Sequence, residues 1–257
     1  MKIKINPKYE EMRSFIERIP DVFEQEGRCI FEGRNVIKAF HVKFDGKEKE
    51  VVVKRYKQPN FIQKIGYSFF RSTKAFRAYE NALRLMADGF VTPEGFGYIE
   101  TRVKGLIDYC YFISDIDNSM PINDQLNSPE EFNRVMAADY AHFVNRLHQK
   151  GIIDIDLNAG NVLYQLQADG HYTFSLIDIN RMRFYSGYPP MKECVENLTR
   201  FTGRMDVFEC VAREYVKLRG MDEKILQKII EAKKIHDWRW AHRKGILHYF
   251  KRKKLGL

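Results

Sequence analysis

The sequence predicts an α+β protein in two lobes, strand-rich over residues 1–115 and helical over 116–257. Two observations carry this reading. Through about residue 115, short runs of Val, Ile, Phe and Tyr alternate with polar residues and are separated by turn signals, with one helical pattern inserted. Beyond that point, apolar residues recur mostly at the three- and four-residue spacing of buried helix faces. A chain of 257 residues, 44% hydrophobic and 14% aromatic, has the material for a core in each half.

The elements follow in order. The stretch "YEEMRSFIERI" places Tyr9, Met12, Phe15, Ile16 and Ile19 on one side of a short amphipathic helix. Strand signals come next at 28–31, 36–44 and 49–56, with Gly33 and Asp45-Gly46 as the turns between them. A helix is predicted from Thr73 to Asp88, with Ser72 as N-cap and Gly89 as its stop. Strand-like sequence returns in "EGFGYIE" and "LIDYCYFI". In the second half, Ser128, Pro129 and Glu131 read as a capping box with proline at the first helical position. They open a helix in which Phe132, Val135, Met136, Phe143 and Leu147 recur at helical spacing up to Gly151. A strand is expected at 172–179, and the pattern is mostly helical from Met191 onward.

Bulk properties narrow the function classes. Forty-three Lys and Arg against 34 Asp and Glu leave a net charge of +9, which favours anionic partners. No nucleic-acid recognition motif accompanies that charge, so no nucleic-acid partner is expected. The four cysteines, Cys29, Cys110, Cys194 and Cys210, are far apart and form no CxxC pair, which reads as reduced thiols. The N-terminus lacks the apolar core of a signal peptide, and no run approaches a membrane span.

The chemistry concentrates in "IIDIDLNAGNVLY", residues 152–164, where Asp154, Asp156, Asn158 and Asn161 interrupt an apolar run. Unpaired polar groups in such a setting are costly, and a metal ion or phosphate would account for them. The catalytic loop of protein kinases carries an Asp followed five residues later by an Asn, the spacing of Asp156 and Asn161. In that scheme Asp156 orients and accepts the proton of the attacking hydroxyl, and Asn161 holds Mg²⁺. Asp178, in "LIDIN" at the end of the next strand, supplies the second metal-binding carboxylate. On the strand "EVVVKRY", Val52, Lys54 and Tyr56 share one face, so Lys54 points where an apolar side chain would, as a phosphate-binding lysine does. On the following helix Phe76, Glu80, Leu83 and Ala87 form one stripe, which makes Glu80 the expected ion-pair partner of Lys54.

The stretches "VVVKRYKQPN", "RSTKAFRAYENALRLMADGFVTPEGFGY", "LHQKGIIDIDLNAGNVLY", "LIDINRMRF" and "ENLTRF" resemble the lipopolysaccharide core kinases of the Kdo/WaaP type, within the protein-kinase-like fold. The resemblance runs from about residue 50 to 201. It implies ATP- and Mg²⁺-dependent phosphorylation of an inner-core sugar, Kdo or heptose, on the cytoplasmic face of the inner membrane. By position it makes Lys54 and Glu80 the ion pair, Asp156 the catalytic base, and Asn161 and Asp178 the metal ligands. The chain departs from the family pattern in having Asp154 two residues before the catalytic aspartate and Ile179 after Asp178. There is no GxGxxG over the phosphates. "FEGRNVIKAF" offers Gly33, with Arg34 and Lys38 as supplementary cations.

The acceptor class follows partly from what is missing. Only about a dozen residues separate Asp178 from Met191, with no A-P-E, and Asn158 occupies the position where protein kinases usually carry Lys. Both features favour a sugar or glycolipid hydroxyl, with Arg181 and Arg183 placed to grip an anionic acceptor. An aminoglycoside-type phosphotransferase and a pseudokinase binding module are the alternatives. The C-terminal stretch interleaves Trp238, Trp240, Ile246, Leu247, Tyr249 and Phe250 with seven Lys and Arg, and "NFIQKIGYSFFRSTK" has a similar mixture. Both suit an anionic membrane surface.

Overall fold

The computed structural model describes the backbone of residues 1–127 and 131–254, and the side chains of residues 1–127 and 131–243. The chain divides into two compact units: Met1–Asn118 with Ser175–Arg181, and Ser119–Phe174 with Met182–Leu257. The stretch Ser175–Arg181 thus groups with the first unit, whereas the sequence reading placed it in the lobe 116–257.

The first unit is a six-stranded antiparallel sheet. Its elements are β1 (Lys2–Ile5), a 3₁₀ segment (Pro7–Met12), α1 (Arg13–Val22), β2 (Arg28–Glu32), β3 (Val36–Phe44), β4 (Lys47–Arg55), α2 (Phe61–Ile65), a π-helical turn (Gly66–Phe70), α3 (Lys74–Ala87), β5 (Gly95–Val103) and β6 (Leu106–Asp115). The strand order is β1-β5-β6-β4-β3-β2. β3 and β4 are joined by Asp45-Gly46, both at positive φ, as a two-residue hairpin loop requires. One sheet face, with Val51, Val53, Phe96, Ile99 and Ile113, is sealed by Met12, Ile16 and Ile19 of the N-terminal segment and α1. The other face is covered by α3, whose buried side is Ala75, Ala78, Tyr79, Ala82 and Leu85. Its N-cap is Thr73, whose hydroxyl accepts from the Phe76 amide, one residue beyond the expected Ser72. β1, α2 and the π turn are elements the sequence reading did not include.

The second unit contains β7 (Met120–Pro121), α4 (Asn123–Leu126), α5 (Arg134–Gln149), β8 (Ile152–Asp154), β9 (Val162–Leu166), the start of β10 (Tyr172–Leu176, whose last two residues group with the first unit), β11 (Met182–Phe184), α6 (Met191–Leu198), α7 (Met205–Leu218) and α8 (Glu223–Lys254). β10-β9-β7 and β11-β8 form two small sheets. The expected capping residues Ser128 and Pro129 lie outside the described residues. The described helix begins at Arg134, with the Asn133 amide oxygen accepting from Met136 N at 2.9 Å. Gly151 ends this helix at φ +73°, and a Cβ there would meet the Tyr185 carbonyl oxygen at 2.2 Å, so only glycine fits. Tyr140, Phe143, Phe174, Phe201 and Phe208 build an aromatic core around α5 and α7. Among the described residues no helix is long and apolar enough to cross a membrane. Trp238 and Trp240 are exposed on α8; the side chains of residues 244–257, which carry the rest of the C-terminal membrane expectation, lie outside the described set.

Candidate active site

In the first unit, strand alternation sends Val51 and Val53 into the core and Lys54 to the α3 side. There the Lys54 ammonium, largely buried, donates to Asp178 Oδ1 at 2.5 Å. Lys54 also lies over the ring of the buried Tyr56, 5.3 Å from its centroid. Burial, with the Asp178 carboxylate nearby, holds the Tyr56 phenol well above its ordinary range, so it stays neutral.

The expected Lys54–Glu80 ion pair is corrected by this geometry. Lys54 pairs with Asp178, and Glu80 is exposed. The reason lies in the helix face. Alanines 75, 78 and 82 let α3 approach the sheet closely, and this stripe, rather than Phe76-Glu80-Leu83-Ala87, turns inward. What α3 contributes to the site comes from two residues the sequence reading missed. Asn81 Nδ2 donates to Ile179 O at 2.6 Å and Arg77 Nε to Asn180 O at 3.0 Å. Thr92 Oγ1 donates to Leu176 O at 2.7 Å, so three side chains clamp the backbone on either side of Asp178. Asp178 itself sits at φ +57°, a left-handed conformation uncommon for a side-chain-bearing residue, and Asn180 Nδ2 donates to its Oδ1 at 2.7 Å.

Lys74 adds a further cation. Its ammonium lies over the Tyr56 ring at 5.9 Å. Burial first, then the nearby Arg34 and Arg77, push its pKa below the ordinary lysine value. Arg34, predicted as a phosphate contact, is therefore brought within electrostatic reach of Lys74. Its neighbours are not available in the same way. Gly33 sits in the β2–β3 hairpin, its N–H donated to Asn35 O at 3.1 Å, and its missing Cβ leaves room for the Phe31 ring. Lys38, expected as a supplementary phosphate cation, is corrected: its ammonium caps the chain after α1, donating to the carbonyls of Phe23, Glu24 and Glu26 at 2.6, 3.1 and 3.1 Å.

In the second unit, the loop after β8 is shaped by its own polar side chains. Asp154 Oδ1 accepts from Asp156 N at 2.9 Å, and Asn158 Oδ1 from Gly160 N at 2.9 Å, two Asx-type turns. The Asp156 carbonyl accepts from Asn158 Nδ2 at 2.8 Å and from Asn161 Nδ2 at 3.0 Å. Both peptide groups of Asp156 are thereby fixed, which holds its backbone in place.

A buried chain supports this loop. Asn197 Nδ2 donates to Asp154 O at 2.5 Å, leaving Asn197 Oδ1 as acceptor for His148 Nε2 at 3.0 Å. His148 Nε2 must then carry the proton, and Nδ1 accepts from Tyr215 OH at 2.7 Å. Arg219 Nη1 donates to the same hydroxyl at 2.9 Å. Burial lowers the His148 pKa to about 4, in keeping with the neutral tautomer that this bonding demands. His148 and Asn197 were not singled out from sequence. The available signal was the i, i+4 row Met136, Tyr140, Val144 and His148, which puts a histidine on a buried stripe.

The oxygen donors suit a hard cation. With its amide nitrogen committed to Asp156, Asn161 presents Oδ1, and Asp178 presents Oδ2 beside the oxygen that takes Lys54 and Asn180. Among the described residues no group of three or more His, Cys, Asp or Glu side chains gathers into a metal cage. A cation held by Asn161 or Asp178 would complete its shell with phosphate and water, as Mg²⁺ commonly does. Arg181 and Arg183, expected together on an acceptor, are divided between the two units. Arg183 is instead a surface ion pair, donating to Glu193 Oε2 at 2.8 Å, and Tyr185 donates to the same oxygen.

Comparisons with known proteins bear on the family and the fold. The sequence model described as "Lipopolysaccharide kinase (Kdo/WaaP) family" matches residues 32–232. No curated protein matches the chain. Among solved structures, WaaP in complex with acyl carrier protein superposes with a TM-score of 0.59 at 16% identity, covering 91% of this chain and 99% of that one. At that identity the likeness shows the fold, a kinase-like one.

Proposed function

Because the chain belongs to the lipopolysaccharide kinase (Kdo/WaaP) family, we propose that it transfers the γ-phosphoryl group of ATP to a Kdo or heptose hydroxyl of the lipopolysaccharide inner core. Family membership makes it an ATP-dependent phosphotransferase with an alcohol group as acceptor. The observation that supports the site assignment best is the gathering of Lys54, Lys74 and Arg77 about the Asp178 turn, with Arg34 within electrostatic reach of Lys74. Such an excess of cations suits the polyphosphate of a nucleotide.

The chain's residues then act mostly by positioning and charge stabilisation. Asp156, its backbone held by Asp154, Asn158 and Asn161, orients the acceptor hydroxyl and takes its proton. Lys54 and Lys74 stabilise negative charge on the phosphates. Asn161 and Asp178 are the residues that would supply oxygen ligands to Mg²⁺, which when bound would neutralise phosphate charge. The acceptor is part of a glycolipid, so the reaction takes place at a membrane surface.

The test offers labelled ATP and Mg²⁺ with purified lipopolysaccharide core, with an aminoglycoside panel, and with no acceptor. Transfer to core alone is expected, with Asp156→Ala lowering the rate by about 10²–10⁴-fold while nucleotide still binds. Transfer to aminoglycosides, nucleotide binding without transfer to any acceptor, or near wild-type turnover by Asp156→Ala would each overturn the proposal.

A further inference from the structure

From Lys57 to Tyr79 the chain carries Lys57, Lys64, Arg71, Lys74 and Arg77 and not one Asp or Glu. The first part of this stretch forms α2 and the π turn. A π turn is wider than an α turn, so here one turn takes about four residues. Residues 64 and 68 therefore share one face, and residues 61, 62, 69 and 70 cluster on the other side. The contacts follow that division. Lys64 Nζ donates to Asp108 at 2.6 Å, Ser68 Oγ donates to Lys64 O at 2.6 Å, and Ile107 N donates to Ser68 Oγ at 2.9 Å, seating the inner face on β6. The outer face is left uncovered: Phe61 is 69%, Ile62 80%, Phe69 67% and Phe70 80% exposed. The adjoining tip of the β5–β6 hairpin adds exposed Val103 next to exposed Lys104.

Isolated surface apolar residues need no explanation, but four large ones gathered on one short helical segment mark an interaction surface. At such exposure these side chains stand out from the surface, the arrangement that enters lipid. Cations flank them, with Lys57 before α2 and Arg71 after the π turn, both exposed. Apolar and aromatic side chains bordered by cations, with no acid in the segment, complement an anionic bilayer surface.

We propose that this segment is a membrane-docking element, inserting Phe61, Ile62, Phe69 and Phe70 at the headgroup–acyl boundary of an anionic bilayer while Lys57 and Arg71 meet lipid phosphates. The choice of a bilayer rests on the reading that the acceptor is a glycolipid. The test does not, because it uses no ATP.

The full chain is co-sedimented with vesicles of phosphatidylglycerol and phosphatidylethanolamine, and with phosphatidylcholine vesicles, at low and high salt. Wild type is expected to pellet with the anionic vesicles at low salt and to be released by salt. F69S/F70S is expected to lose about tenfold or more in vesicle partition. K57E/R71E should lose the preference for anionic lipid. Unchanged thermal unfolding midpoints show that both variants remain folded, as substitution of exposed side chains predicts. On a water-soluble deacylated core acceptor F69S/F70S should keep wild-type turnover, a result that separates docking from chemistry. Wild type binding neither vesicle type overturns the proposal, as does equal partition of wild type and F69S/F70S. Loss of binding to acyl carrier protein by F69S/F70S with vesicle partition unchanged would assign the surface to a protein partner and overturn it as well.

Discussion

At the scale of single residues, Asp178 is held on several sides. It is a non-glycine residue at positive φ, with Lys54 and Asn180 on one carboxylate oxygen and its flanking carbonyls held by Asn81 and Arg77. Holding a residue in a sparsely populated conformation costs about 1–3 kcal/mol, so the surrounding bonds offset a strain that aims the carboxylate. The same geometry separates two residues the sequence had coupled. Lys54→Met should lower turnover by about 10²–10³-fold, the range for removing one charge-stabilising group. Glu80→Gln should stay within about twofold of wild type, as expected for an exposed side chain with no part in the Lys54 pair. Steady-state kinetics on the two variants checks this, and a Glu80→Gln loss as large as that of Lys54→Met would restore the pairing first read from sequence.

At the scale of elements, α5, α6 and α7 support the loop after β8 through His148, Asn197 and Tyr215. His148 is buried and neutral, with a pKa lowered from 6.5 to about 4. In the unfolded chain it titrates near 6.5, so the unfolded state binds the extra proton first as pH falls. The contribution is complete above about pH 6.5 and is lost as pH drops toward 4, by about 3 kcal/mol over that window. Denaturant unfolding followed between neutral pH and pH 4 should show this loss. His148→Gln should flatten the slope across that window even if it lowers stability at neutral pH. An unchanged slope would mean that His148 does not titrate as its burial requires.

At the scale of the whole molecule, a chain of an ATP-dependent kinase family is expected to gain stability from its nucleotide. A ligand that binds only the folded chain stabilises it by about 2.7 kcal/mol at a hundred times its Kd. MgATP is therefore expected to raise the unfolding midpoint by several degrees, and a chelator should remove the part of the shift that depends on the ion. Asp178→Asn should lose the chelator-sensitive part. Equal shifts with and without Mg²⁺ in wild type would count against Asp178 and Asn161 as ion ligands.

Much of this molecule was legible from sequence because its signals are local. Strand alternation placed Lys54 opposite Val51 and Val53, Asp45-Gly46 marked the β3–β4 hairpin, Gly151 ended α5, and the five-residue spacing of Asp156 and Asn161 marked a loop in which the Asn161 amide reaches the Asp156 carbonyl. Partners distant in the chain were decided only by tertiary structure. A helical pattern leaves its rotation about the axis uncertain by a residue or so, and that was enough to turn Glu80 outward and bring Arg77 and Asn81 onto the Asp178 turn. Lys38 and Arg183 carry charges whose chemistry suits an anion, a phosphate for Lys38 and an acidic sugar for Arg183, but in the fold carbonyls after α1 and Glu193 engage them. Residue type determined which groups could bind an anion or a metal. Packing, which fixes what each group touches, decided which of them already have protein partners.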